Sequence, residues 1–258
     1  MKTSRIFQLL TVIGTYIFLY LPIVILIVFS FNSKPFPAAW DNFTFKWYEE
    51  LFASTVLWNS FSNSVIIAIS STTLSLLMAT LLIYWRAQGG RVKKYIPLFY
   101  GNLIVPETVL AVSLLAFFSL FKVPLGLPTL IASHTVIGLG FAIPILYTRY
   151  HELDSRLTEA SLDLGATPMQ TFFRITLPAL RPAIIGTGLL VFVISFDDFV
   201  ISYFCSGSQI QTLSLYIFSM IRSGISPIVN ALSAVLLLFS TLLALLFFAP
   251  KRKARVLG

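Results

Sequence analysis

Long apolar runs separated by short polar or basic connections make up most of this chain. A helix needs about 20 mainly apolar residues to cross a hydrocarbon core of ~30 Å. Six stretches reach that length, at about 6–31, 60–85, 96–121, 128–148, 183–206 and 229–249. Gly138, Gly140 and Pro144 interrupt the fourth, and Asp197 and Asp198 sit inside the fifth. The connections differ sharply in charge. Lys34, Lys46, Lys122 and Arg222 fall on one side, and the rest of the 18 basic residues, from Lys2 and Arg5 to Arg255, fall on the other. Short Lys/Arg-rich loops mark the cytoplasmic face, so both termini are expected in the cytoplasm with six spans between them.

Composition agrees with this pattern. Of 258 residues, 57% are hydrophobic and 11% charged, against roughly 45–50% and 25% in soluble domains; mean hydropathy is +0.88. Too little polar surface exists to wrap a water-facing core, which excludes disordered, secreted disulfide-rich and nucleic-acid-binding classes. The net charge of +8 is mostly the asymmetry between faces, suited to anionic headgroups. The first apolar run is about 25 residues, beyond the 7–15 of a cleaved signal sequence, and reads as an uncleaved span. Cys205 is the only cysteine and His134 and His151 lie far apart, so no metal site is expected. Cys205 is expected to be inert and His134 to be a neutral, packed histidine. No phosphate-binding loop, HExxH or GxSxG is present, so catalytic residues are expected to be none and nucleotide-driven work must belong to another subunit.

Two further segments stand out. Residues 32–59 form a long outer connection carrying Trp40, Trp47, Trp58, Phe43, Phe45 and Tyr48, either an interfacial anchor or a docking surface. Residues 209–227 are too short to span, yet Leu213, Ile217, Met220 and Ile221 keep a helical stripe, as an interfacial helix or an outer gate. Asn63 and Asn102 read as interhelical hydrogen-bonding groups.

The connection at 149–182 is far longer than a helix pair needs. Asp154 can cap a short helix on which Leu157, Ala160, Ser161 and Leu164 share one face. Gly165 is placed to end it in a left-handed conformation. Thr167-Pro168-Met169-Gln170 then reads as a new start, with Thr as cap, Pro in the first turn and Gln reaching back. Pro178 and Pro182 interrupt the chain before the fifth span. A helix-turn-helix outside the bilayer follows, with an apolar face that needs covering.

Here a family resemblance enters. Glu159-Ala160-Ser161, then Gly165, then Ile175-Thr176-Leu177-Pro178 resembles the EAA---G---------I-LP signature of permease subunits of binding-protein-dependent ABC importers. The third signature position, usually Ala, is Ser161, a small-for-small change. The likeness extends along most of the chain to the C-type permeases of the spermidine/putrescine branch. Phe29-Ser30-Phe31-Asn32-Ser33, Lys46-Trp47-Tyr48, Phe196-Asp197-Asp198-Phe199 and Pro227-Ile228-Val229-Asn230 carry it. The resemblance implies an all-α, polytopic membrane protein, residues 1–258 forming one permease domain of the bacterial inner membrane. It implies a coupling helix, with Glu159, Ala160, Ser161, Gly165, Leu177 and Pro178 at or near the ATPase contact. It also implies a homologous second permease chain, a cytoplasmic ATPase dimer and a periplasmic or lipid-anchored substrate-binding protein. No cofactor is expected on this chain; ATP and Mg are used by the ATPase, and transport runs by alternating access.

Buried charge bears on the solute. A charged side chain at a helix centre costs at least ~2.5–3.5 kcal/mol. Glu107, Asp197 and Asp198 are the acidic residues that fall within spans, and no Lys or Arg lies comparably deep, which favours a cationic solute. Adjacent helical positions point about 100° apart, so one of Asp197 and Asp198 is expected to face the path while the other binds a neighbouring helix or partner chain. Phe196, Phe199 and Tyr203 surround them, and aromatic faces hold alkylammonium groups. The expected function is therefore half of the path of an ATP-driven polyamine importer. The alternatives are the same architecture carrying another cationic or small solute, or a secondary transporter; the absence of a repeat weighs against the last.

Overall fold

The computed structural model describes residues 2–34, 39–222 and 227–248. In chain order it contains α1 (Lys2–Phe29), α2 (Lys46–Ala53), α3 (Thr55–Ala87), α4 (Ile96–Ile104), α5 (Glu107–Leu120) and α6 (Leu127–His151). There follow α7 (Ser155–Asp163), α8 (Pro168–Thr171), α9 (Leu177–Asp197), α10 (Val200–Cys205), α11 (Leu213–Arg222) and α12 (Pro227–Phe248). No strand occurs among the described residues, as the expected all-α class requires.

Of the six expected spans, the described residues show four or five. Four helical stretches among the described residues are long and apolar enough to cross a membrane: Phe7–Phe29, Thr55–Ala87, Leu127–His151 and Pro168–Asp197. A fifth is reached only if Val92–Ile104 and Glu107–Leu120, bent by 110°, count as one. The cause of the bend is Pro106. Its ring disfavours the helical region for the residue before it, and Val105 is extended at ψ 130°. Glu107 therefore opens α5 rather than lying deep inside one continuous helix. The sixth expected span falls in α12, a helix of 22 residues from Pro227 to Phe248.

Two more expectations change. Gly138, Gly140 and Pro144 do not interrupt the fourth span, because α6 runs unbroken from Leu127 to His151. The glycines serve close approach: a Cβ at Gly140 would stand 2.8 Å from Asn102 Cβ on α4. Nor do Pro178 and Pro182 interrupt the chain. Pro178 takes the first turn of α9, where no N–H is needed, and Pro182 is carried inside it. A π-helical turn, Phe172–Thr176, joins α8 to α9. The connection after α6 is thus residues 152–167, shorter than the expected 149–182.

The chain divides into two compact units, Met1–Thr55 with Ile217–Gly258, and Val56–Tyr216. In the first, Asn32 organises the segment after α1. Its buried side chain donates to the carbonyls of Lys34 at 3.1 Å and Ala39 at 3.3 Å, and accepts from the Asp41 amide at 2.9 Å. The Trp47 indole donates to the Asn32 carbonyl at 2.7 Å. Phe31 stacks on Phe43 and Tyr48 at 5.2 and 5.1 Å, with Phe45 edge-on at 5.6 Å. The aromatic density noted in the sequence is thus largely a folded ring cluster. The Ser33 hydroxyl and the Lys34 ammonium hold the exposed Asp41 carboxyl below the usual carboxylate range. Asn32→Ala leaves several of these backbone groups unpaired, at roughly 1–3 kcal/mol for such a loss. The expected outcome is a lower Tm and faster proteolysis within residues 33–45; an unchanged cleavage rate would contradict the role given to Asn32.

The second unit is built around α6, the most enclosed of the spanning helices at 61%. One core cluster joins Ala79 and Ile83 of α3, Ala142 and Leu146 of α6, Phe172 and Leu180. The other joins Ile67, Ala111, Phe118, Leu130, Ile201 and Cys205. Cys205 is fully buried, in keeping with an inert thiol. Small residues at Ser71, Ser75 and Ala79 give α3 a groove at four-residue spacing for α6 and α9 to enter, the means by which apolar helices approach closely. Of the two asparagines expected to bond between helices, Asn102 does so, whereas Asn63 reaches the segment just before α11. Asn63 donates to the Gln211 carbonyl at 3.0 Å, and Asn102 to that of Val136 at 3.0 Å. The stripe expected at 209–227 forms α11, whose first amide, Leu213 N, donates to Ser64 Oγ at 2.8 Å; residues 223–226 lie outside the described set.

Candidate functional site

Two helix breaks meet in the second unit, and each carries a carboxylate. α9 ends at Asp197, and Asp198 is extended at φ −62°, ψ 127° before α10 begins. The Asp198 side chain causes this locally by competing with the helix for backbone N–H groups. Its Oδ1 accepts from Ile201 N at 3.3 Å and its Oδ2 from Ser202 N at 2.8 Å, capping α10. Its own carbonyl accepts from Ser214 Oγ at 2.6 Å. α5 packs against α10, and the Glu107 carboxyl comes within hydrogen-bonding reach of Asp198. Both carboxylates thus sit at helix N-termini, where the dipole favours negative charge.

The two aspartates separate as their adjacency requires. Asp198 is 7% exposed, whereas Asp197 and Glu107 are exposed. Phe196 stacks on Phe192 at 5.9 Å and meets Phe61 edge-on at 6.0 Å. Phe199 lies 5.6 Å from Tyr203, which is half exposed. The structure brings Glu107 and Asp198 together and leaves Asp197 facing outward.

One participant is missed by the sequence reading. His134, expected only to pack, is buried with Nδ1 2.8 Å from Ser195 Oγ and Nε2 3.5 Å from Asp198 Oδ2. Ser195 Oγ in turn lies 3.0 Å from Ser71 Oγ. A chain of polar side chains therefore crosses from α3 through α9 and α6 to the α9–α10 break. The sequence shows no sign of it, because its members are separated by 61 and 124 positions.

The second candidate region follows α6. Asp154 Oδ1 accepts from Arg156 N at 3.0 Å and caps α7. Gly165 takes φ +84° to end it, a conformation that favours glycine. Thr167 and Gln170 form the expected capping box, at 2.9 and 3.3 Å. Ser161 Oγ lies 3.0 Å from Thr171 Oγ1, tying α7 to α8. No residue of α7 is buried. Leu157 is 56% and Leu164 88% exposed, beside exposed Glu159 and Ala160. Leu177 and Pro178 are half-buried, Leu177 against the first core cluster. Glu159 also borders a cavity of about 240 Å³ shared with Arg86, Tyr150 and Thr176.

Comparison with known proteins gives the family of the chain. Residues 64–255 match the family described as binding-protein-dependent transport system inner membrane component. The chain is 35% identical over 242 residues to the spermidine/putrescine transport system permease protein PotC of Haemophilus influenzae, covering 92% of this chain and 93% of that one. It is 37% identical to PotC of Escherichia coli K12, covering 89% and 88%. It is 33% identical to the putrescine transport system permease protein PotI of the same strain, covering 85% and 82%. Its fold is similar to that of a bacterial ABC transporter involved in alginate import, with TM-score 0.70 at 18% identity, covering 95% and 93%. By its family match and its near full-length likeness to these permeases, the chain belongs to the inner membrane components of binding-protein-dependent transport systems, a transport subunit and not an enzyme.

Proposed function

We propose that this chain forms half of the transmembrane path of an ATP-driven importer of polyamines, spermidine or putrescine. The observation that carries the reading is identity of 33–37% over most of the chain to three permeases of such systems. Fold likeness alone selects no solute, since a similar fold belongs to a transporter of an acidic polysaccharide. The acidic pair of helix breaks supports a cation: exposed Glu107 and Asp197 present carboxylates, Asp198 braces the break behind them, and Phe196, Phe199 and Tyr203 offer aromatic faces for alkylammonium groups and methylene chains.

A homologous second permease supplies the other half of the path. A periplasmic or lipid-anchored binding protein delivers solute from outside, and an ATPase dimer that uses ATP and Mg docks from the cytoplasm. Glu159, Ala160 and the exposed leucines of α7 form the ATPase contact. Ser161, Gly165, Leu177 and Pro178 shape the turn behind it and transmit its motion into α9 as access alternates. Both termini and residues 152–167 lie on the cytoplasmic side of the bacterial inner membrane.

ATP-dependent uptake of labelled spermidine and putrescine into vesicles bearing the assembled importer tests this. Glu107→Gln and Asp197→Asn are each expected to lower uptake about 10- to 100-fold, from ~1.5–3 kcal/mol for a hydrogen bond to a charged group. An assembled, ATP-hydrolysing complex that imports neither polyamine would sink the solute assignment.

A further inference from the structure

The hydrogen bonds around His134 form a chain that can run in either of two directions. Ser71 Oγ has one proton, for the Ala68 carbonyl at 3.3 Å or for Ser195 Oγ at 3.0 Å. With that proton on Ala68, Ser195 Oγ donates to Ser71 Oγ, and its own proton is committed as well. His134 Nδ1, 2.8 Å from Ser195 Oγ, then meets an oxygen lone pair and is the donor, and this is the direction we adopt. On the far side of the ring, Nε2 faces Asp198 Oδ2 at 3.5 Å, with the two side chains 1% and 2% exposed. Nε2 makes no hydrogen bond to any other group. A bare Nε2 lone pair against an ionised carboxylate, away from water, would be repulsive at low dielectric. A proton on one of the two removes that repulsion.

We infer that His134 and Asp198 form a buried proton-holding pair, two protons being shared among Nδ1, Nε2 and the carboxylate, so that the pair carries no net charge. His134 is then the positioning residue that cancels the charge of Asp198 and fixes its carboxylate against the α10 amides. Under the proposed path, on which this point rests, the acidic charge available to a cationic solute is that of Glu107 and Asp197. The groups facing the pair from neighbouring elements are few. α5 brings Glu107 and α10 brings Cys205. α3 and α9 bring the hydroxyls of Ser71 and Ser195.

The test needs no solute, so it stands or falls separately from the polyamine assignment. The assembled importer, labelled with 15N-histidine and held in nanodiscs, is examined by NMR at neutral pH. The His134 ring is assigned by difference against His134→Gln. A protonated Nδ1 is the expected result; a ring protonated on Nε2 alone would overturn the inference. A second readout separates charge pairing from packing. His134→Asn leaves an uncompensated carboxylate and is expected to lower the Tm of the complex. Adding Asp198→Asn, which keeps an equally good cap, is expected to recover part of that loss. A double variant no more stable than His134→Asn alone would count equally against the pair.

Discussion

Gly138→Val is expected to abolish recovery of the folded chain, while Gly186→Ala, on α9, leaves it intact. Gly138 lies where α6 passes between α3 and α9. A Cβ there would collide with Ser75 Oγ and stand 2.8 Å from Val191 Cγ1. Neither neighbour has room to withdraw: Ser75 and Val191 are both buried, and Ser75 Oγ donates to the Thr135 carbonyl on α6 at 3.2 Å. Overpacking of a tight core costs about 1–3 kcal/mol when side chains can adjust. Here whole helices must separate and a buried hydrogen bond is lost, so a loss above ~3 kcal/mol is expected. At Gly186 a Cβ meets nothing within 4 Å, and exchange for alanine favours the helix by up to ~1 kcal/mol. The measurement is yield of monodisperse complex in detergent, with its Tm. Equal behaviour of the two variants would remove the close three-helix crossing from the account of this fold.

Leu157→Asp combined with Leu164→Asp is expected to leave the chain folded and uncouple it from its ATPase. Neither leucine supports the fold: Leu157 lies on α7, which buries none of its residues, and Leu164, just past its end, is 88% exposed. Each buries apolar surface only on docking, at about 1.5–3 kcal/mol per side chain, or roughly 10- to 100-fold in affinity. Co-purification of the ATPase and stimulation of ATP hydrolysis by loaded binding protein should both fall at least about 10-fold, with the Tm of the membrane chain unchanged. Undiminished co-purification would move the docking surface elsewhere, with the cavity beside Glu159 and Arg86 as the next candidate.

These two predictions draw on regions of very different legibility. The α7–α8 turn could be read residue by residue because its chemistry is local. Asp154, Gly165, Thr167 and Gln170 each act on backbone groups within a few positions, and the structure places each where the sequence put it. The Pro106 break is equally local, but the long apolar run around it masks the restriction that proline imposes on Val105. The α6 glycines are ambiguous in sequence for a different reason. A glycine that breaks a helix and one that admits a neighbour look alike in sequence, and only the position of Ser75 and Val191 tells them apart.

The sequence by itself determined that the chain is helical and membrane-embedded, that an exposed helix-turn-helix follows the fourth apolar run, and that the charge within the apolar runs is acidic. Each follows from composition, apolar run length or capping over a few residues. The tertiary structure alone decided that Asp198 turns inward while Asp197 turns out, that Glu107 opens a helix beside Asp198, and that His134 links Ser195 and Ser71 to that carboxylate. Those outcomes depend on how α3, α5, α6 and α9 are rotated about their axes. That rotation is set by the summed fit of small and large side chains across several helices, which no single segment encodes.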